Sequence, residues 1–269
     1  MQLRSLGEYT IIRTMMGGGV TNLYLASHAR HGRVVVRCLK PALHGHKRLY
    51  RNFFSGGEIL AQLHHPLIVR FIEMGTWQDM PFMVLEYVES RNLRELLGMR
   101  SPLLASHRLQ ILRKQAEALA YVHSEGFLHL DYKPENILIR NDASVVLIDF
   151  DLAMPRPARP LRIRSVPGTP AYLAPELLGR NQLDQRADVY AFGVAAYELF
   201  SGHKPFDGES EEELRRATLN PRLEARSLRL NDPAIHAGID EVILKCLAKD
   251  PDRRYPEVSM IARDLERLR

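Results

Sequence analysis

Cysteine is scarce in this 269-residue sequence: only Cys38 and Cys246 occur, far apart and without CxxC or metal-ligand spacing. That excludes a disulfide framework and a thiolate metal site, and it predicts two buried filler residues in a reducing compartment. No window approaches the ~18 apolar residues of a membrane span, and the start MQLRSLGEYTIIRTMM lacks the long apolar core of a secretory signal. A cytoplasmic protein with no membrane segment is expected. Internal repeats, linkers and appended segments are not apparent either. Long runs of one charge sign are also missing. Lys and Arg number 37 against 32 Asp and Glu, and the basic residues are dispersed apart from Lys47, Arg48 and Arg51 and Arg156, Arg159, Arg162 and Arg164. A solvated surface accounts for such a distribution, so no nucleic-acid partner is expected.

What is present divides in two. Up to about residue 88 the chain carries short apolar, β-branched runs: Tyr9 to Ile12, Asn22 to Ala26, Val34 to Leu39, Val69 to Glu73 and Phe82 to Val88. Gly, Pro or charged clusters separate them, which predicts an antiparallel meander. Beyond it, apolar residues recur at helical spacing over Leu103 to Ser124, Arg186 to Phe200, Ile239 to Leu247 and Val258 to Arg269. An α+β protein follows, with a small sheet unit ahead of a larger helical one. The Pro-rich tract Phe127 to Glu176 fits neither pattern apart from two short strands, Ile137 to Ile139 and Val145 to Ile148; irregular tracts of this kind carry function more often than packing.

That tract holds His129-Leu130-Asp131-Tyr132-Lys133-Pro134-Glu135-Asn136, an apolar strand, and then Ile148-Asp149-Phe150-Asp151. Phosphoryl transfer requires a carboxylate near the attacking hydroxyl, a cation on the transferred phosphate and oxygen ligands for Mg²⁺. Asp131 suits the first role and Lys133 the second, while Asn136 and Asp149 suit the third.

HLDYKPENIL resembles the HRDLKPENIL of the eukaryotic-type (Hanks-type) Ser/Thr protein kinase family, and IDFD resembles its DFG. Gly168-Thr169-Pro170-Ala171-Tyr172-Leu173-Ala174-Pro175-Glu176 is similar to the end of that family's activation segment. Asp188-Val189-Tyr190-Ala191-Phe192-Gly193 is similar to the start of its central helix, and Asp250-Pro251-Asp252-Arg253-Arg254 to its late arginine motif. The resemblance covers nearly the whole chain. It implies one bilobal α+β protein-kinase domain over residues 1–269, with an N-lobe to about 88 and a C-lobe from about 89. It also implies ATP and Mg²⁺ as cofactors, a buried Glu176–Arg254 ion pair, and a packed structural His129. Lys133 and Thr169 resemble the Ser/Thr class. Adenine would meet backbone groups of Glu86 and Val88, with Leu85 as gatekeeper.

The resemblance weakens at the nucleotide-anchoring positions. Of the three glycines in the family's phosphate loop only Gly18 is matched, Met16 and Thr21 standing at the others. Arg37 stands where the phosphate-anchoring lysine is expected, keeping the charge but not the shape. Counting back from Pro66 puts Gly56 at the position of the helix glutamate that pairs with that lysine, which predicts an unpartnered cation. Ser55-Gly56-Gly57-Glu58 fits a capping box, and two interior glycines cost about 2 kcal/mol in a helix, so a helix beginning at Ser55 is expected. Leu130 replaces the arginine that receives an activation-segment phosphate, a non-RD arrangement in which Ser165 and Thr169 are the only Ser or Thr hydroxyls between Asp149 and Glu176. Asp151 replaces the DFG glycine and could add a second carboxylate at the metal. The stretch Glu209 to Glu213, ahead of a helix expected from Leu214, reads as an acidic helix cap, or as a docking site for a basic peptide.

Three functions fit these residues: an ATP-dependent Ser/Thr kinase of low or atypical activity acting on a protein substrate; a pseudokinase binding a regulatory protein partner without turnover; and a small-molecule phosphotransferase, for which Asp151 is the sole positive sign.

Overall fold

The computed structural model describes residues 3–15, 17–163, 168–180, 182–206 and 208–268, so Met16, Arg164 and Ser165 lie outside the described residues. The chain forms two compact units. One comprises the chain up to Glu89 together with Asp149–Asp151, and the other comprises Ser90–Ile148 and Leu152 onward.

The first unit is a six-stranded antiparallel sheet of β1 (Ser5–Leu6), β2 (Tyr9–Met15), β3 (Thr21–His28), β4 (Gly32–Leu39), β5 (Phe71–Trp77) and β6 (Met80–Glu86), in the order β1-β2-β3-β4-β6-β5. Side chains alternate across a strand, so Val34, Val36 and Cys38 of β4 share one face. There they join Leu6, Tyr9, Ala26 and Val84 in a buried cluster. Val35, Arg37 and Leu39 take the other face. Both expected outer strands shift: β5 starts at Phe71, not Val69, and β6 runs from Met80 and ends at Glu86. Between them β5 and β6 turn in a two-residue hairpin at Gln78 and Asp79, both with positive φ, for which Gln-Asp lacks the usual Asn-Gly signal.

Helix α1 runs unbroken from Lys47 to Leu60, straight through Ser55-Gly56-Gly57. The helix start expected at Ser55 is therefore wrong, and Glu58 is an exposed side chain on the helix flank. Close packing is what the glycines provide. A Cβ on Gly57 would lie 2.4 Å from Met74 Sδ, and one on Gly56 would lie 2.5 Å from the Phe150 carbonyl oxygen.

The second unit contains β7 (Arg91–Asn92), α2 (Leu93–Gly98), α3 (Pro102–Ser124), β8 (Phe127–Leu128), β9 (Ile137–Ile139), β10 (Val145–Leu147) and β11 (Met154–Pro155). After these come α4 (Pro175–Arg180), α5 (Arg186–Ser201), α6 (Glu211–Leu219), α7 (Ala237–Cys246) and α8 (Val258–Glu266). Helix α5 is buried from Ala187 to Leu199, as a helix that is apolar on all sides must be, and it ends at Gly202 in the left-handed conformation. Strands β10-β9-β7 and the pair β8–β11 bracket the irregular tract. The acidic stretch is a helix N-terminus: Ser210 accepts a hydrogen bond from the Glu213 amide, and Glu211, Glu212 and Glu213 fill the first turn of α6, three residues ahead of the expected start at Leu214. Cys38 and Cys246 are buried free thiols; burial pushes the Cys38 thiol up to about 12. Among the described residues no helix is long and apolar enough to cross a membrane.

Candidate active site

The residues expected to act fall into both units. Gly18, Arg37, Glu86, Val88 and Asp149 belong to the sheet unit, and Asp131, Lys133 and Asn136 to the helical unit.

In the helical unit the loop after β8 is shaped from beneath by Asp188, in the first turn of α5. Its carboxylate accepts the amides of His129 at 2.8 Å and Leu130 at 2.9 Å, and it pairs with His123 Nε2 at 2.8 Å. Burial alone would raise the Asp188 pKa, yet the hydrogen bond from His123 and the neighbouring donors hold it below the ordinary carboxylate range. These bonds fix Leu130 at φ 63°, a costly conformation for a branched side chain. His129 is fully buried. Its Nδ1 accepts from the Asp131 amide at 3.3 Å, so its Nε2 carries the proton and donates to the Ile148 carbonyl at 3.1 Å. The loop is thus held by hydrogen bonds from within the helical unit.

The Asp131 carboxylate is the centre of what this scaffold presents. Oδ2 accepts from Lys133 Nζ at 2.6 Å and Oδ1 from Thr169 Oγ1 at 2.9 Å, while Lys133 Nζ also reaches Thr169 Oγ1 at 2.9 Å. Asn136 Nδ2 donates to the Asp131 backbone carbonyl at 2.8 Å and to its carboxylate at 3.0 Å, which commits the amide nitrogen. Thr169 is delivered by Gly168, whose φ of 109° suits glycine and whose Cβ, if present, would sit 2.9 Å from the Leu130 carbonyl oxygen.

Further along, Arg254 grips Glu176 through two bonds of 2.8 Å, the buried pair expected from the sequence, and a bidentate fork of this kind is the strong form of the interaction. Sequence reasoning missed a second cluster. Arg94 of α2 bonds Glu198 at 2.6 Å and Glu135 at 2.9 Å and touches the Tyr172 hydroxyl, which itself donates to Glu198 at 2.5 Å. These residues lie up to 104 positions apart, and no local pattern announces the contact.

In the sheet unit the expected unpartnered cation is not found. Arg37 is a buried side chain whose Nη1 and Nη2 donate to the two oxygens of Asp151 at 3.1 and 2.9 Å. Nη2 also reaches Asp149 Oδ1 at 3.3 Å. Burial alone would lower the Arg37 pKa, but the charges of Asp151 and Asp149 push it well above its ordinary value. The partner carboxylate lies not on α1 but in a segment 114 residues away in the chain, which no local spacing reveals. At the other positions, Gly18 has open space where a Cβ would go, and Thr21 is buried in β3. The Glu86 amide donates to the Arg70 carbonyl at 3.0 Å, and Val88, just beyond β6, is buried.

The chain is similar to known proteins along nearly its whole length. The family model described as the protein kinase domain fits residues 9–264. Serine/threonine-protein kinase PrkC of Bacillus subtilis is 31% identical over 265 residues, covering 98% of this chain and 41% of PrkC. Pkn2 of Myxococcus xanthus is 32% identical over 92% of this chain and 31% of its own length, and PknL of Mycobacterium tuberculosis is 31% identical over 97% and 65%. The chain therefore spans only part of these curated relatives. The crystal structure of the Mycobacterium tuberculosis PknI kinase domain superposes with a TM-score of 0.72 at 26% identity, covering 99% of this chain and 98% of that one. With an antiparallel sheet unit, a helical unit, the Asp131 loop and the Glu176–Arg254 pair all in place, this chain belongs to the protein kinase domain family.

Proposed function

We propose that this chain is an ATP-dependent serine/threonine protein kinase that transfers the γ-phosphoryl group of ATP to a hydroxyl on a protein substrate. The observation that carries the reading is the three-way contact of Asp131, Lys133 and Thr169, which holds a carboxylate and a cation together on a preformed loop. In the reaction the substrate oxygen bonds to the γ-phosphorus, and the bond from that phosphorus to the bridging oxygen breaks with its electrons leaving on ADP. Asp131 orients the hydroxyl and receives its proton; Lys133 offsets charge on the phosphoryl oxygens.

Arg37 serves as the cation at the α- and β-phosphates, and Gly18 leaves the phosphate loop bare. Adenine meets the backbone of Glu86 and Val88, where the Glu86 contact falls to its carbonyl because its amide is committed to Arg70. The Asn136 amide oxygen and the Asp149 carboxylate are hard oxygen donors suited to Mg²⁺. The metal, when bound, would neutralise phosphate charge. ATP use and two buried unpaired thiols support a cytoplasmic site of action. The scaffold alternative rests on the departures at Arg37, Gly56 and Asp151, yet Arg37 and Asp151 form an ion pair and Gly56 adjoins the Asp151 backbone, which is not a vacated site.

Phosphate transfer from ATP to Ser/Thr peptides and proteins tests the reading, with Asp131→Asn as the control. The variant is expected to lose roughly 100-fold or more in kcat, the span of general acid–base assistance. Signal that persists undiminished in Asp131→Asn would come from a contaminant and would remove the support for catalysis.

A further inference from the structure

Three residues depart together from the family pattern in the sheet unit, and they meet in space. The Arg37 fork lies on both oxygens of Asp151, with one nitrogen also on Asp149, and the guanidinium packs 5.8 Å from the Phe53 ring of α1. Helix α1 contributes no carboxylate here. Gly56 stands where it would be, and a Cβ at that position would fall 2.5 Å from the Phe150 carbonyl oxygen and 2.8 Å from the Asp151 Cα. Contacts that short involve backbone, which cannot swing aside as a side-chain tip can. The space left by the missing side chain of Gly56 is the space that the Phe150–Asp151 backbone occupies.

We propose that Asp151 is the positioning residue for Arg37, supplying from the segment after Asp149 the carboxylate that helix α1 lost at Gly56. The inference rests on the reading of Arg37 as the nucleotide-anchoring cation. A buried guanidinium requires a partner, and a forked one can hold two carboxylates at once, which a compact ammonium cannot do with the same geometry. Arginine and Asp151 are therefore matched to each other, and Gly56 is matched to both. In this arrangement the clamp does not depend on a carboxylate of α1. It ties the nucleotide-anchoring cation directly to Asp149, so the two are positioned as one piece.

A double-mutant cycle over Arg37→Met, Asp151→Asn and the pair tests this, read by urea midpoint without nucleotide and by KM for ATP against kcat. Asp151→Asn is expected to raise KM for ATP about tenfold with a smaller effect on kcat, and to have little further effect in the Arg37→Met background. Asp151→Glu should recover part of the loss. Equal effects of Asp151→Asn in both backgrounds, or no effect on either midpoint or KM, would overturn the proposal. The midpoint cycle needs no turnover, so it judges the pairing even if the chain proves inactive, which separates its failure from that of the kinase reading. The triple variant Arg37→Lys/Gly56→Glu/Asp151→Gly guards against Asp151→Asn failing to fold. Asp151→Gly with Arg37→Lys releases the ion pair that holds the Phe150–Asp151 backbone against α1, so the triple variant should hold ATP within about threefold of wild type, whereas Gly56→Glu alone should lose binding and stability. Gly56→Glu tolerated without loss would count against the coupling.

Discussion

Thr169 illustrates how much a single hydroxyl settles at the level of the residue. It donates to Asp131 and accepts from Lys133, so it sets the distance between the carboxylate and the cation. Thr169→Val keeps the shape and removes both bonds. A hydrogen bond to a charged group is worth about 1.5–3 kcal/mol, so kcat is expected to fall roughly 10- to 100-fold while KM for ATP changes little. Thr169→Ser should restore most of it, and a steady-state comparison of the three proteins checks this. The sequence singled out Asp131, Lys133, Asn136 and Asp149, the first three within six residues of one another, and read Thr169 apart from them, as part of a segment resembling the Ser/Thr class. It missed Asp188 as the support of the loop and Asp151 as the partner of Arg37. In both cases the residue was visible and its role was not, since an acceptor's partner 58 or 114 positions away leaves no trace in spacing.

Elements carry the next set of consequences. Helix propensity favours Ala over Gly by about 1 kcal/mol in a helix interior, and on that ground alone both Gly56→Ala and Gly57→Ala should stabilise α1. Packing reverses the sign. The Gly56 methyl would meet backbone atoms and the Gly57 methyl would meet the flexible tips of Met74 and Met83, so Gly56→Ala is expected to be the more damaging. Urea unfolding of the two variants tests the order. A second case is the end of α6, where Lys249 Nζ donates to the carbonyls of Ala217 and Thr218 at 3.1 and 2.9 Å and lies 3.3 Å from the Phe206 ring centre. Burial, with Arg254 nearby, lowers its pKa to about 8. The unfolded value is roughly 10.4, so between the two the unfolded chain holds more protons, and raising the pH shifts the balance toward the folded state. Stability relative to Lys249→Met should therefore rise from pH about 8 to about 10.4 and stay flat below. A decline across that window in paired thermal melts would refute the assignment.

For the whole molecule, a ligand that binds only the folded chain stabilises it by mass action, by about 2.7 kcal/mol at a hundredfold excess over Kd. ATP with Mg²⁺ should raise the melting temperature, and Asp149→Asn should remove the metal-dependent part of that rise; no shift at millimolar ATP would favour a scaffold. Class and architecture were legible from the sequence because period-two and helical apolar patterns are local, and so was the candidate catalytic loop, because its residues are concentrated in one short segment. Hydrophobic periodicity also placed α3, α5, α7 and α8 within a few residues of their observed bounds. Local rules failed where a long-range contact outweighed them. The capping box at Ser55 lost to the close approach of Gly56 and Gly57 to their neighbours, and the hairpin at Gln78-Asp79 formed without its usual residues. The sequence by itself determined the family, the fold class and the identity of the candidate catalytic residues. Only the tertiary structure decided that Arg37 is partnered, because the pairing joins β4 to a segment distant in the chain and depends on backbone filling the space beside Gly56, a relation that exists in three dimensions alone.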